Sequence, residues 1–117
     1  YCQAHTGHTA ERNGVDGEKL AVIWEYETSS LFTEAERAAL RIAQGSGSVP
    51  NGATDEMFAA AREHFTDDQL AAIVAVASLF GYLNRWNDTI ATTLEESPTK
   101  FGNSVLADRG WTPGNHA

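Results

Sequence analysis

Apolar residues in this chain recur in blocks bounded by residues that start and stop helices, and no strand pattern interrupts them. From Cys2 to Asn13 the only helix breaker is Gly7, and Gly14 follows where a left-handed cap ends a helix, so a first helix is predicted to end near Asn13. Asp16 can cap a second, short helix whose apolar content is Leu20, Val22, Ile23, Trp24 and Tyr26. Thr33 and Glu36 have the spacing of a capping box, in which each side chain satisfies an amide of the first turn, and predict a third helix from about Glu34 to Gln44. The turn formers of residues 45–52 read as a loop, and Thr54 can cap a fourth helix reaching about His64.

Thr66 and Gln69 repeat the capping-box spacing, and no proline occurs from there until Pro98. A long helix is predicted from Asp67, with a break near Asn84 as an option. Its Leu70, Ile73, Val74, Val76, Leu79, Phe80, Tyr82 and Leu83 occupy more than one face, which predicts burial on several sides or a subunit interface. The tail from Ser97 reads as irregular, with Trp111 as an anchor. The fold class expected is therefore all-α, with about five helices and one long buried helix.

Composition narrows the function. At 117 residues and 42% hydrophobic content, the chain fits one small domain over residues 1–117. Sixteen acidic against eight basic residues give a formal charge of -8, which repels nucleic acid and anionic membranes. No apolar run is long enough to span a bilayer. Cys2 is the only cysteine, so no disulfide can form within the chain, and a reducing cytoplasm is the expected setting. The opening at Tyr1, without methionine and already helical in pattern, suggests that residues precede it.

The densest candidate chemistry lies at that start. On a helix Cys2 and His5 are neighbours by i, i+3 spacing, about 60 degrees apart, so an imidazolium could stabilise the nucleophilic thiolate. Thr6, Thr9 and Asn13 fall on the same side as Cys2 and make a polar stripe. A buried, inert Cys2 accounts for the same residue type. A metal set of Cys2, His5 and His8 lacks a further ligand, and His8 is turned about 120 degrees from Cys2. Asn84, Arg85, Trp86, Asn87 and Asp88 form a polar break after the apolar run, where Arg85 and Asn84 could hold a carboxylate or could serve a structural ion pair. Glu25 and Glu27, beside aromatic residues, are candidate proton relays, whereas Glu34, Glu36, Asp55, Glu56, Asp67 and Asp68 suit helix first turns. Trp24, Trp86 and Trp111 read as core and anchor residues.

In order and spacing, Tyr1 to Thr6, Trp24 to Ser30, Ala35 to Leu40, Phe80 to Asp88 and Gly110 to His116 resemble the carboxymuconolactone decarboxylase and alkylhydroperoxidase D-like family. The resemblance implies an all-helical alkylhydroperoxidase D-like domain that assembles into homo-oligomers. It also implies, in the redox members, a CxxC pair followed by histidine. Cys2 matches the second cysteine and His5 the histidine; the first cysteine, with an upstream glutamate and further helices, would precede Tyr1. The activity implied by the resemblance is that of a thiol-dependent peroxidase without a cofactor or metal, using a small hydroperoxide and an external thiol reductant. In the decarboxylase branch of the family, a small acid substrate would instead be held by His5 or His8 and Arg85. A third class is a helical oligomer subunit without catalysis.

Overall fold

A computed structural model describes residues 1–117. Six α-helices succeed one another: α1 (Cys2–Arg12), α2 (Gly17–Ala21), α3 (Glu34–Gly47), α4 (Asp55–Ala61), α5 (Asp67–Ile90) and α6 (Glu96–Phe101). Short 3-10 and π-helical turns join or extend them, and there is no strand, so the expected all-α class holds with one helix more than expected. The chain forms two compact units, residues 25–82 and residues 1–24 together with 83–117.

In the 25–82 unit the capping signals act as their spacing predicts. Thr33 Oγ1 accepts from the Glu36 amide at 3.2 Å while Glu36 Oε2 accepts from the Thr33 amide at 2.9 Å. Thr66 and Gln69 repeat the arrangement at 3.2 and 2.9 Å, and Thr54 caps α4. Ala38, Ile42, Ala61 and Leu70 form the buried core, flanked by Met57, Phe58, Phe65, Ile73 and Val74. Arg37 ties the segment before α3 to that helix, donating to the carbonyls of Tyr26 and Ser29 at 2.9 and 2.7 Å. Arg41 holds the Glu27 carboxylate through two hydrogen bonds of 2.6 and 2.7 Å, which keep Glu27 below the usual carboxylate range. Glu27 is thus ionised and engaged by Arg41, and the proton-relay role considered for it does not suit that state.

Helix α5 runs unbroken past Asn84 to Ile90. Its burial differs from the sequence expectation: only Leu70 is fully buried, while Val76, Leu79, Tyr82, Trp86 and Ile90 are all more than half exposed. At 100 degrees per residue these five side chains fall within an arc of about 120 degrees, a single apolar stripe. The extra apolar face read in the sequence is therefore this exposed stripe.

The other unit is built on close approaches that glycine permits. Gly7 does not break α1; a Cβ there would lie 2.4 Å from Phe101 Cε1 and 2.9 Å from its Cζ, so the absent side chain lets α1 pack against α6. Gly102 likewise receives the indole of Trp111, whose Cη2 would stand 2.4 Å from a Cβ at that position. Helix α6, together with the π-helical turn Gly102–Leu106, orders part of the tail that had read as irregular. Pro98 is compatible with α6 because it occupies the first turn, where its missing N–H would have no helical acceptor. Ala4, Leu94, Pro98 and Phe101 are buried there.

Helix α5 ends in a left-handed Ala91 at φ 49°, and the Thr92 amide closes the cap on the Asn87 carbonyl at 3.1 Å. A Cβ is disfavoured in that conformation by roughly 1–2 kcal/mol, partly offset by the greater chain entropy that glycine loses on folding. Ala91→Gly is therefore expected to raise stability by up to about 1 kcal/mol, read as a higher denaturant midpoint with an unchanged slope.

Candidate thiol site

Helix α1 carries Cys2 at its first position and His5 one turn later, and the turn entering α6 brings Glu95 to them. His5 Nε2 lies 2.5 Å from Glu95 Oε2. The Tyr1 hydroxyl donates to the same carboxylate at 3.3 Å, and its ring lies against both His5 and His116, with centroids 4.8 and 5.5 Å away. The hydrogen bond from His5, then those from the backbone amide and Tyr1, hold Glu95 below the usual carboxylate range. A depressed carboxylate stabilises the fold above its unfolded pKa and loses that contribution as pH falls through the lowered folded value, so this contact opens on the acid side.

Cys2 is half-buried, and burial pushes its thiol above the ordinary range. A hydrogen bond from the Asn87 side chain acts against that, favouring the thiolate, while the Asp88 carboxylate disfavours it. Asn87 and Asp88, on the last turns of α5, thus act on the thiol together with the amino group of Tyr1, and His5, expected from its spacing to tune it, has Glu95 as its hydrogen-bonding partner. At neutral pH the resting group is a thiol, and reaction requires a base to remove its proton. Asn87→Ala removes the donor to the thiolate and is expected to slow iodoacetamide alkylation of Cys2 at neutral pH about tenfold, measured as a pseudo-first-order rate.

His116 completes the surroundings. It is buried, with Nδ1 at 2.9 Å from the Thr92 carbonyl and Nε2 at 2.9 Å from Asp88 Oδ1. Both ring nitrogens face acceptors, so this histidine fixes the Asp88 carboxylate that faces Cys2 and ties the end of the chain to the end of α5.

The remaining sequence candidates lie elsewhere. Asn84 and Arg85 are exposed on α5, one turn before the residues that reach Cys2. His8 packs near the Phe101 ring, with centroids 6.2 Å apart, and its Nδ1 is buried without a hydrogen-bond partner. No cluster of three or more His, Cys, Asp or Glu side chains arises to hold a metal, so Cys2, His5 and His8 do not converge into one set. Much of the polar stripe beside Cys2 is satisfied by its own helix: Thr6 Oγ1 donates to the Cys2 carbonyl at 2.6 Å and Asn13 Nδ2 to the Thr9 carbonyl at 2.8 Å. Glu95, Asn87, Asp88 and His116 were not singled out as site residues by the sequence. Asn87 and Asp88 stood in the visible polar break and His116 in the matched tail, but nothing local connects Glu95 with a histidine 90 positions away.

No protein-family model matches the chain, and no curated protein matches it. Two solved structures are similar: the debrominase Bmp8 in its apo form, and a cysteine-to-alanine variant of Bmp8 in complex with 2,3,4-tribromopyrrole. Each is 30% identical, with a TM-score of 0.81 over 90% of this chain. This chain spans 56% of the length of either. The structures it is similar to are thus those of a helical enzyme studied through a cysteine substitution.

Proposed function

We propose that this chain belongs to a thiol-dependent oxidoreductase of the alkylhydroperoxidase D-like kind, with Cys2 as nucleophile and the His5–Glu95 pair handling its proton. The observation that carries this reading is the placement of a half-buried thiol on the same helix turn as a histidine paired with Glu95 at 2.5 Å. With Nε2 donating to the carboxylate, Nδ1 of His5 is the basic nitrogen, oriented by its partner as in other nucleophile, histidine and carboxylate arrangements. The similarity to a debrominase supports thiol chemistry in general, and the substrate is the finer part of the proposal.

In the first reading the substrate is a small hydroperoxide. The Cys2 sulfur attacks the terminal oxygen, the O–O bond breaks, and the alcohol leaves with a proton while Cys2 becomes a sulfenic acid. An external thiol condenses with it, releasing water and forming a mixed disulfide, which a second thiol reduces to restore Cys2. A second reading is favoured by the similarity to Bmp8: the same sulfur takes bromine from a brominated pyrrole, the ring carbon gains a proton, and external thiol reduces the sulfenyl bromide with release of bromide. The exposed stripe on α5 supports a homo-oligomer, and the thiol requirement suits a cytoplasmic setting.

Turnover of cumene hydroperoxide and of 2,3,4-tribromopyrrole, each with dithiothreitol as reductant, separates the two substrates. Loss of hydroperoxide alone supports the first, release of bromide alone supports the second, and loss of neither rejects the thiol-dependent reading. Consumption of a lactone acid, indifferent to Cys2 and lost on changing His5, His8 or Arg85, would favour the decarboxylase branch instead.

A further inference from the structure

His116 is buried to 4% exposure, and the thiol chemistry proposed above gives it no step. A polar ring so placed costs stability unless its hydrogen bonds are made, and here they are. The main chain of His116 is fixed independently of the ring: its carbonyl accepts from the Leu94 amide at 2.8 Å and its amide donates to the Pro113 carbonyl at 3.0 Å. The ring then reaches two points at the end of α5, with Nδ1 2.9 Å from the Thr92 carbonyl and Nε2 2.9 Å from Asp88 Oδ1. The Asp88 side chain is 68% exposed, so without the ring its carboxylate would be free to turn to water.

The same ring faces the thiol site. Its centroid lies 5.5 Å from that of Tyr1, the residue before Cys2, and the Tyr1 ring lies 4.8 Å from His5 while its hydroxyl donates to Glu95. His116 therefore joins the Asp88 carboxylate to the start of α1, where Cys2 is the first helical residue. Asp88 from α5 and Tyr1 before α1 are the titratable groups that face the ring. A carboxylate is a stronger acceptor than a peptide carbonyl, so Nε2–H donates to Asp88. A negative charge near a thiol disfavours the thiolate, and a donor that takes up part of that charge relieves the penalty.

We propose that His116 is a positioning residue for the thiol site, holding the Asp88 carboxylate by a donated hydrogen bond so that its charge bears less on Cys2. This role rests on Cys2 as the reacting group, but alkylation of the thiol reads it without turnover. The midpoint of the pH profile for iodoacetamide alkylation is measured in the parent, His116→Asn, His116→Gln, Asp88→Asn and the double variant of His116→Asn with Asp88→Asn. Asn at position 116 keeps a donor for the Thr92 carbonyl but falls short of Asp88, whereas Gln extends its amide to the place of Nε2. His116→Asn should raise the midpoint and slow alkylation at neutral pH about threefold, the size that a partly exposed charge interaction supports. His116→Gln should restore the parent midpoint, and Asp88→Asn should lower it. Adding His116→Asn to Asp88→Asn should change nothing further, because the carboxylate through which His116 acts is gone. Far-UV circular dichroism verifies that the variants are folded. An unmoved midpoint in Asp88→Asn, or an equal rise from His116→Asn with and without Asp88, would overturn the assignment, as would a His116→Gln midpoint as high as that of His116→Asn. If these shifts appear while cumene hydroperoxide and 2,3,4-tribromopyrrole are both left intact, the thiol-dependent turnover fails and the role of His116 stands.

Discussion

Cys2→Ser is expected to lower reductant-dependent turnover by at least about 10³-fold, because a hydroxyl replaces the nucleophile while its surroundings stay in place. Asn87, Asp88 and the His5–Glu95 pair keep their positions, so substrate affinity and thermal stability should change little beside that loss. Steady-state kinetics with saturating dithiothreitol, together with a melting curve, checks both halves of the expectation. A variant that retained the parent rate would remove Cys2 from the mechanism and leave the thiol as a packing residue. The resting thiol itself is held protonated mainly by burial, so the parent rate should rise with pH as Cys2 loses its proton.

The second large effect links packing to the site. Gly7→Ala places a methyl group 2.4 Å from Phe101 Cε1, and Phe101 is buried, so α1 and α6 must separate or the ring must leave its position. Overpacking of this kind costs about 1–3 kcal/mol. For a chain of this size that corresponds to a fall in Tm of roughly 4–8 °C per kcal/mol. Helix α1 carries Cys2 and His5, while Glu95 precedes α6, so separation of the two helices also opens the 2.5 Å contact that orients the base. Turnover should therefore fall together with stability. Phe101→Leu removes the ring atoms nearest the new methyl, and the double variant should recover part of the loss, a coupling that a thermal double-mutant cycle measures.

The contrast between Gly7 and the helix caps shows which parts of this structure can be read locally. Thr33 with Glu36, Thr66 with Gln69, Thr54 and Asp16 all cap helices as expected, since each interaction closes within a few residues. Gly7 reads as a helix breaker because propensity counts only its backbone entropy, whereas its role is to make room for a ring 94 positions later. Pro98 similarly concealed α6, although proline is compatible with a first turn. In α5 the apolar pattern was plain but its destination was not, because periodicity identifies a face without saying what covers it.

The site was legible to a similar depth. Cys2 and His5 were recognisable from type and spacing, yet spacing on a helix permits an interaction without establishing one, and His5 turned to Glu95. Asn87 and Asp88 lay in a visible polar break, but which of its side chains act on Cys2 is set by tertiary placement that no local pattern encodes. The Thr6 and Asn13 side chains, polar on the thiol's side of the wheel, bond back to carbonyls four residues earlier. Tertiary placement decided these assignments, and it is carried by residues far apart in the chain.

The most direct test of the central claim is intact-mass analysis of the chain after one equivalent of hydroperoxide in the presence of dimedone, which traps sulfenic acids, with the adduct located by peptide mapping. One dimedone adduct is expected, located on Cys2, its formation slowed in Asn87→Ala and in His5→Gln. An unmodified Cys2 with the hydroperoxide left intact would contradict it.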